Sequence, residues 1–181
     1  MLRSIFFASA LLAATTAVHA QSDPWTQHSD WVSSAIESCK SATEDRSGCR
    51  HFPGEALREL FGIGDFCTDS GCMRAVEMEY EFRNHPDKWS AIGQASDQAA
   101  LDKAHELAVS GKAVVAVQNV DDLGQVAIIM PGKPVPSGRW SLDRVPVAAA
   151  ARVDAPEKSV FGQGINWVFS NPAQVTLYTR L

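Results

Sequence analysis

The sequence has few basic residues and no long apolar run beyond its first twenty positions. Sixteen lysines and arginines stand against 21 aspartates and glutamates, and the formal net charge at pH 7 is −5. A chain without a basic stripe has no surface to hold a phosphate backbone, so nucleic acid is not an expected partner. No later segment reaches the roughly 18 apolar residues that a membrane-spanning helix needs. Repeats and linkers are also absent, and the length fits one domain with its own core.

The first twenty residues have the organisation of a secretory signal peptide. Arg3 precedes an apolar run over residues 5–18, and the small-x-small ending at residues 18–20 is typical of a cleavage site. We therefore expect residues 1–20 to be removed. Residues 21–181 are then expected to form a single exported domain, periplasmic or secreted.

The four cysteines are Cys39, Cys49, Cys67 and Cys72. In an exported chain an even number of thiols is by default a disulfide set, and three pairings are possible. The local pairing, Cys39 with Cys49 and Cys67 with Cys72, closes two short polar loops and is the easiest to form. The gap between Cys67 and Cys72 is also the only metal-ligand spacing in the chain, and a disulfide explains it more simply. Neither a metal nor a cofactor is expected.

The front half of the chain has helical periodicity. Apolar residues recur there at the spacing of amphipathic helices. Four helices are expected, with these caps and breakers at their boundaries: Ser29 or Asp30 at the start of the first, Gly62 at the end of the second, Ser70 and His85 around the third, Ser96 and Gly111 around the fourth.

The back half changes to a β pattern. Residues 113–119 and 125–130 are short β-rich runs, and the intervening VDDLG predicts a hairpin. Residues 160–170 and 173–180 supply two further strand candidates. Helices first and strands later predict an α+β fold, with N-terminal helices packed on one side of a C-terminal antiparallel sheet.

The order of these elements resembles the papain-like cysteine amidases and peptidases, and among them the CHAP-type cell-wall hydrolases. A helix opened by a cysteine, a valine-rich strand, a tight hairpin and a GHVAIV-like strand carry the resemblance. The matching segments are GCRHFPGEALRELFGI (48–63), HELAVSGKAVVAV (105–117), GQVAIIMPG (124–132) and SGRW (137–140). The resemblance implies a papain-like (CHAP-like) single domain that acts on amide bonds of peptidoglycan peptides.

By this resemblance Cys49 is the catalytic nucleophile. At a helix start, unpaired backbone N–H groups and the positive end of the helix dipole stabilise a thiolate. The competing interpretation is that Cys49 is half of a structural disulfide. The base should stand at Gln125, where the family carries a histidine, but a carboxamide takes up no proton near pH 7. Gln125 can donate a hydrogen bond to a carbonyl, so it would bind a ligand where histidine would catalyse.

The histidines of the chain are weak replacements for the missing base. His51 is two positions after Cys49 and points to a different side of a helix. His105 fits the flank of an amphipathic helix. His85 lies in the NHPDKW loop, which could fold over the site.

Three other polar or aromatic residues are candidates for the site. Asn166 and Asp143 could orient a base, although both also fit ordinary turn and strand-end positions. Among five tryptophans, which a domain of this size normally uses in its core, Trp140 is the candidate for substrate binding because it follows the turn at Gly138.

Three classes of function stay open. The first is an exported thiol hydrolase, with Cys49 attacking an amide bond in peptidoglycan peptides. The second is a pseudoenzyme that keeps the cleft and binds cell-wall peptides or a cell-envelope protein, its catalytic residues degraded. The third is a disulfide-stabilised inhibitor or immunity-like protein without a cleft. The choice between enzyme and binding protein depends on whether the thiol of Cys49 is free.

Overall fold

The structure, a computed structural model, describes residues 23–120 and 123–181. These residues form an α+β domain with four α-helices and a six-stranded antiparallel sheet. The expected signal peptide over residues 1–20 lies outside the described residues, as does the tip of the hairpin at residues 121–122. In the described ranges no helix combines the length and apolar character that a membrane crossing needs.

The helices are α1 (Pro24–Lys40), α2 (Ser47–Phe61), α3 (Ala75–Asn84) and α4 (Gln98–Val109). Helix α1 begins earlier than predicted, because the Asp23 carboxylate caps it by accepting from the backbone N–H of Trp25 at 3.2 Å and Pro24 occupies its first turn. Helix α2 ends as predicted at Gly62, whose φ of 68° is the left-handed conformation of a helix C-cap.

The starts of α3 and α4 differ from the prediction. Ser70 caps no helix; it lies in the turn between two short paired strands, and α3 starts after Arg74, whose backbone N–H donates to the Glu77 carboxylate at 2.7 Å. The end of α3 at His85 is as predicted. Helix α4 is capped by Asp97, one residue beyond the expected Ser96.

The strands form one central sheet and two small hairpins. The central sheet has the order β3 (Trp89–Gln94), β10 (Val175–Arg180), β4 (Val114–Val120), β5 (Leu123–Ile129), β8 (Val147–Ala150), β9 (Val160–Gly164), and every neighbouring pair is antiparallel. The hairpins are β1 (Cys67–Thr68) with β2 (Gly71–Cys72), and β6 (Val135–Ser137) with β7 (Leu142–Val145). The predicted β4–β5 hairpin and the strands β9 and β10 are present, but residues 165–167 at the end of the third candidate segment form a short 3-10 helix.

Helices cover both faces of the sheet rather than the single face that was predicted. Alternate side chains of a strand point to opposite faces. Val115 and Val117 of β4 join the core built with α1, α2 and α3, whereas Val114 and Ala116 join the core built with α4. A strand with no polar residue at alternate positions needs cover on both sides, and α4 supplies the second layer.

Both disulfides have the local pairing. Cys39–Cys49 joins the end of α1 to the first turn of α2, and Cys67–Cys72 closes the β1–β2 hairpin. All four cysteines are therefore paired. Two intramolecular disulfides fit an exported protein, since such bonds persist in oxidising compartments.

Candidate functional site

A small cavity of about 190 Å³ lies between α2, the N-terminus of α3 and the beginning of β5. Cys49, in the first turn of α2, and Gln125, near the start of β5, both line it. The two residues that the resemblance pairs as nucleophile and base position thus share one cavity. Its opposite wall comes from Ala151 and Val153, which follow β8.

The sulfur of Cys49 is not available for chemistry in this cavity. It is bonded to the sulfur of Cys39, and the Cys49 residue is buried at 2% exposure. A disulfide sulfur carries no proton and is not a thiolate, which is the form that attacks a carbonyl. In this oxidised form Cys49 is therefore a structural half-cystine, and the nucleophile interpretation would require reduction of the bridge.

Gln125 has a fixed orientation. Its Nε2 donates to the backbone oxygen of Ala151 at 3.1 Å and to that of Val126 at 3.3 Å. The expected donor function toward a ligand is therefore already used within the protein. Among the described residues no donor hydrogen-bonds to its Oε1, so the group that Gln125 offers to a ligand is an acceptor.

The wall formed by α3 is packed against β5 without spare room. A Cβ atom at Gly124 would lie 2.3 Å from the backbone nitrogen of Val76. Only a residue without a side chain allows the two main chains to approach so closely. This contact fixes the start of α3 beside Gln125 and sets the width of the cavity.

Two guanidinium groups lie at the rim of the cavity. Arg74 is compensated by Glu77, with 2.7 Å between Nη2 and Oε1, and this hydrogen bond lowers the pKa of the Glu77 carboxyl below its usual range. Arg50 is exposed and forms no ion pair within the described part of the chain. Arg50 interacts with the carboxylate of Asp45 only through a coulombic attraction and not through an ion-pair contact, so it is the guanidinium of the rim that a ligand can reach.

The orienting candidates and the histidines do not line this cavity. Asn166 lies in the 3-10 helix Ile165–Trp167, where its Oδ1 is buried without a hydrogen-bond partner. Asp143 is exposed on β7. The group that accepts from the Gln125 side chain is the backbone oxygen of Ala151, and neither Asn166 nor Asp143 contacts it.

Each candidate histidine has another environment. His51 contacts the backbone oxygen of Cys72 through Nδ1, and His85 lies 3.0 Å from the carboxylate of Glu81. His105 lies on α4, whose apolar residues pack on the opposite face of the sheet. None of the three is placed to take a proton in the cavity of Cys49.

Trp140, the candidate for substrate binding, is a buried residue of the core. It is 7% exposed in the core beside α4, and its Nε1 donates to the backbone oxygen of Phe169 at 3.2 Å. The exposed tryptophan is Trp167, at 59%. Sequence reasoning missed it because the tryptophans other than Trp140 were expected in the core, whereas the 3-10 helix Ile165–Trp167 presents this one to solvent.

No protein-family model matches the chain, and no curated protein is significantly similar to it. Within residues 23–120 and 123–181, no three His, Cys, Asp or Glu side chains come together as a metal site would require.

Proposed function

We propose that this protein is an exported, non-catalytic binding domain on a papain-like scaffold, and that the cavity of Cys49 and Gln125 binds the end of a cell-wall peptide. One observation carries the proposal: nucleophile and base positions share a cavity in which one holds a disulfide and the other a carboxamide. Such a pair cannot transfer a proton between sulfur and base. What is left is a shaped, polar recess.

The size and polarity of the recess support a short peptide segment as its occupant. A volume of about 190 Å³ is below the roughly 300 Å³ at which pockets begin to enclose whole small ligands, so it fits one residue of a longer ligand. The free Oε1 of Gln125 accepts an amide N–H, and Arg50 attracts a carboxylate. Stem peptides of peptidoglycan have both amides and free carboxylates.

Calorimetric titration of the oxidised protein with a synthetic stem tetrapeptide, containing D-glutamate and a diamino acid, tests this proposal. We expect binding without cleavage, and we expect Arg50→Gln to weaken it about tenfold, the value of one charge-assisted hydrogen bond. Arg58→Gln is the matched control, since Arg58 is an exposed arginine of the same helix that does not line the cavity. Equal affinities of the two variants, or cleavage by the oxidised protein, would contradict the proposal.

A separate experiment tests the papain-like ancestry. Cys39→Ala releases the Cys49 sulfur, and Gln125→His places a base in the same cavity. We expect thiol-dependent hydrolysis of the tetrapeptide by the double variant, abolished by iodoacetamide, and none by either single variant. Hydrolysis by Cys39→Ala alone would show that another group acts as the base.

A further inference from the structure

A second and larger cavity, of about 530 Å³, lies beside the first. Ser159 lines it and its Oγ is 3.3 Å from the sulfur of Cys39, while Cys49 lines the smaller cavity. The Cys39–Cys49 bridge therefore separates the two recesses. The residues of the larger one have no part in the peptide site proposed above.

The larger cavity concentrates positive charge on a protein that is negative overall. Its lining contains four cationic side chains and one anionic side chain: Lys40, Arg139, Arg152 and Lys158, against Glu157. Two of these cations are neutralised by ion pairs: Lys40 pairs with Glu37 at 2.7 Å, and Arg152 pairs with Asp154 at 2.5 Å.

The other two cations, Arg139 and Lys158, stand against the single carboxylate of Glu157, so the lining keeps an excess of one positive charge. In the part of the chain that the structure describes, neither Arg139 nor Lys158 forms an ion pair. Within residues 23–120 and 123–181, the one polar contact of the Arg139 side chain is long, 3.4 Å from Nη1 to the backbone oxygen of Asn166. Two free cations on one concave surface are suited to an anionic group of a ligand.

An exposed aromatic ring and two carboxamides complete the lining. Trp167 exposes a large apolar ring at the edge of this charged recess, and Gln118 and Gln163 bring amide groups to it. A flat indole face packs against the flat apolar side of a sugar ring, and carboxamides can both donate to and accept from hydroxyl groups.

We propose that this cavity binds a saccharide that carries a carboxylate, with Trp167 against the ring and Arg139 and Lys158 on the acid group. An extended acidic peptide fits the surface less well. Strand β9 is the free edge of the sheet here, but Gly162, with a φ of 73°, and a register shift opposite Ala148 interrupt it. An interrupted edge does not offer the regular row of N–H and C=O groups that an added peptide strand needs.

The test compares two disaccharides that differ in one acid group. N-acetylglucosaminyl-N-acetylmuramic acid, with its lactyl carboxylate free, is titrated against the oxidised protein and followed by the fluorescence of tryptophan and by calorimetry. The neutral counterpart is N,N′-diacetylchitobiose, the chitobiose in which both sugars are N-acetylated and no lactyl group is present. We expect the acidic disaccharide to bind with a dissociation constant of about 1 mM or lower, and chitobiose about tenfold more weakly.

Variants then assign the binding to this cavity. Trp167→Ala should weaken both disaccharides up to about tenfold. Lys158→Gln and Arg139→Gln should each weaken only the acidic one, by about tenfold. Tyr80→Ala, which removes an exposed ring from α3, and Lys133→Gln, which removes an exposed cation outside the cavity, are matched controls and should change nothing.

The outcomes separate this inference from the peptide site. Equal affinity for the two disaccharides, equal effects of Lys158→Gln and Lys133→Gln, or binding of a poly-glutamate peptide without binding of the acidic disaccharide would overturn it. Arg50→Gln, at the smaller cavity, should leave disaccharide binding unchanged, so failure of one proposal does not imply failure of the other.

Discussion

Removal of the Cys39–Cys49 disulfide is expected to destabilise the protein more than removal of Cys67–Cys72. The first bridge spans a sequence separation of 10 residues and the second a separation of 5. The chain-entropy relation gives about 2.7 kcal/mol for the first loop and about 2.1 kcal/mol for the second. Loop length alone therefore separates the two bridges by only a few tenths of a kcal/mol.

Burial increases the difference. Cys39 and Cys49 are both buried in the core between α1 and α2, whereas of the second pair only Cys72 is buried. Each buried sulfur replaced by a hydrogen loses about 1 kcal/mol of transfer free energy. We therefore expect Cys39→Ala/Cys49→Ala to lose about 4 to 5 kcal/mol of unfolding free energy, and Cys67→Ala/Cys72→Ala about 3 kcal/mol.

Urea unfolding measures both values. The effect of the cross-link is separated from packing by unfolding Cys67→Ala/Cys72→Ala with and without dithiothreitol, since reduction breaks the remaining bridge but keeps its sulfur atoms. That difference should be about 2.7 kcal/mol. A loss below about 1 kcal/mol for Cys39→Ala/Cys49→Ala, or a larger loss for the other double variant, would refute this reasoning.

Three further predictions concern stability. Gly124→Ala should cost about 2 kcal/mol in urea unfolding, because its Cβ would collide with the main chain at Val76; a neutral result would mean that α3 moves freely. Asp65 holds Arg180 at 2.7 Å, and this hydrogen bond lowers the pKa of its carboxyl. The stabilising effect of the ionised Asp65 is therefore complete above the unfolded pKa of about 3.9 and is lost as the pH falls through the lower folded pKa. In thermal scans, the melting temperature of Asp65→Asn should therefore depend less on acid pH than that of the wild type. An unchanged acid dependence would contradict this. Trp140→Phe should cost about 1 to 3 kcal/mol in urea unfolding by leaving a buried carbonyl unpaired, and a loss below about 0.5 kcal/mol would argue against its core position.

The C-terminal ends of α2 and α3 and the β4–β5 hairpin were predictable because local chemistry determines them, whereas the starts of α1, α3 and α4 were not. The left-handed Gly62 ends α2, and a β-rich run on each side of a turn gives β4 and β5. Strands β3 and β8 were not predictable in this way. The first contains Gly93, where a Cβ would lie 2.9 Å from that of Ala100, and the second is mostly alanine, which has little strand preference. Their pairing with β10, β5 and β9 determines their conformation.

The packing of α4 on the second face of the sheet could have been predicted from the apolar pattern of β4. Residues 113–117 are uniformly apolar, a pattern that a strand buried on both faces requires, yet a one-sided sheet was predicted from the order of helices and strands alone. The apolar run was the more informative signal, because it reports the environment of each side chain. The order of elements says nothing about which face a helix covers.

For the site, proximity was easier to predict than chemical state. A cysteine at a helix start and a polar residue at the beginning of the neighbouring strand meet in one cavity. The sequence left three disulfide pairings open, and only the three-dimensional separation of the cysteines distinguishes them. The exposure of two tryptophans also depends on tertiary structure. Trp140 is buried at the turn of the β6–β7 hairpin, and Trp167 is exposed at the end of a 3-10 helix.

The small cavity lacks both halves of a thiol–base pair, and the two absences are independent of each other. Reduction of the bridge would give Cys49 a proton to lose, but Gln125 could not accept it; a histidine at position 125 could accept a proton, but the bonded sulfur would have none to give. Residues that act as one catalytic unit give strongly non-additive effects, so either single restoration should be silent. A cavity that lacks both partners offers a ligand only contacts, an acceptor oxygen and the charge of Arg50. This chemistry supports the proposal that the protein holds a peptide end and leaves it intact.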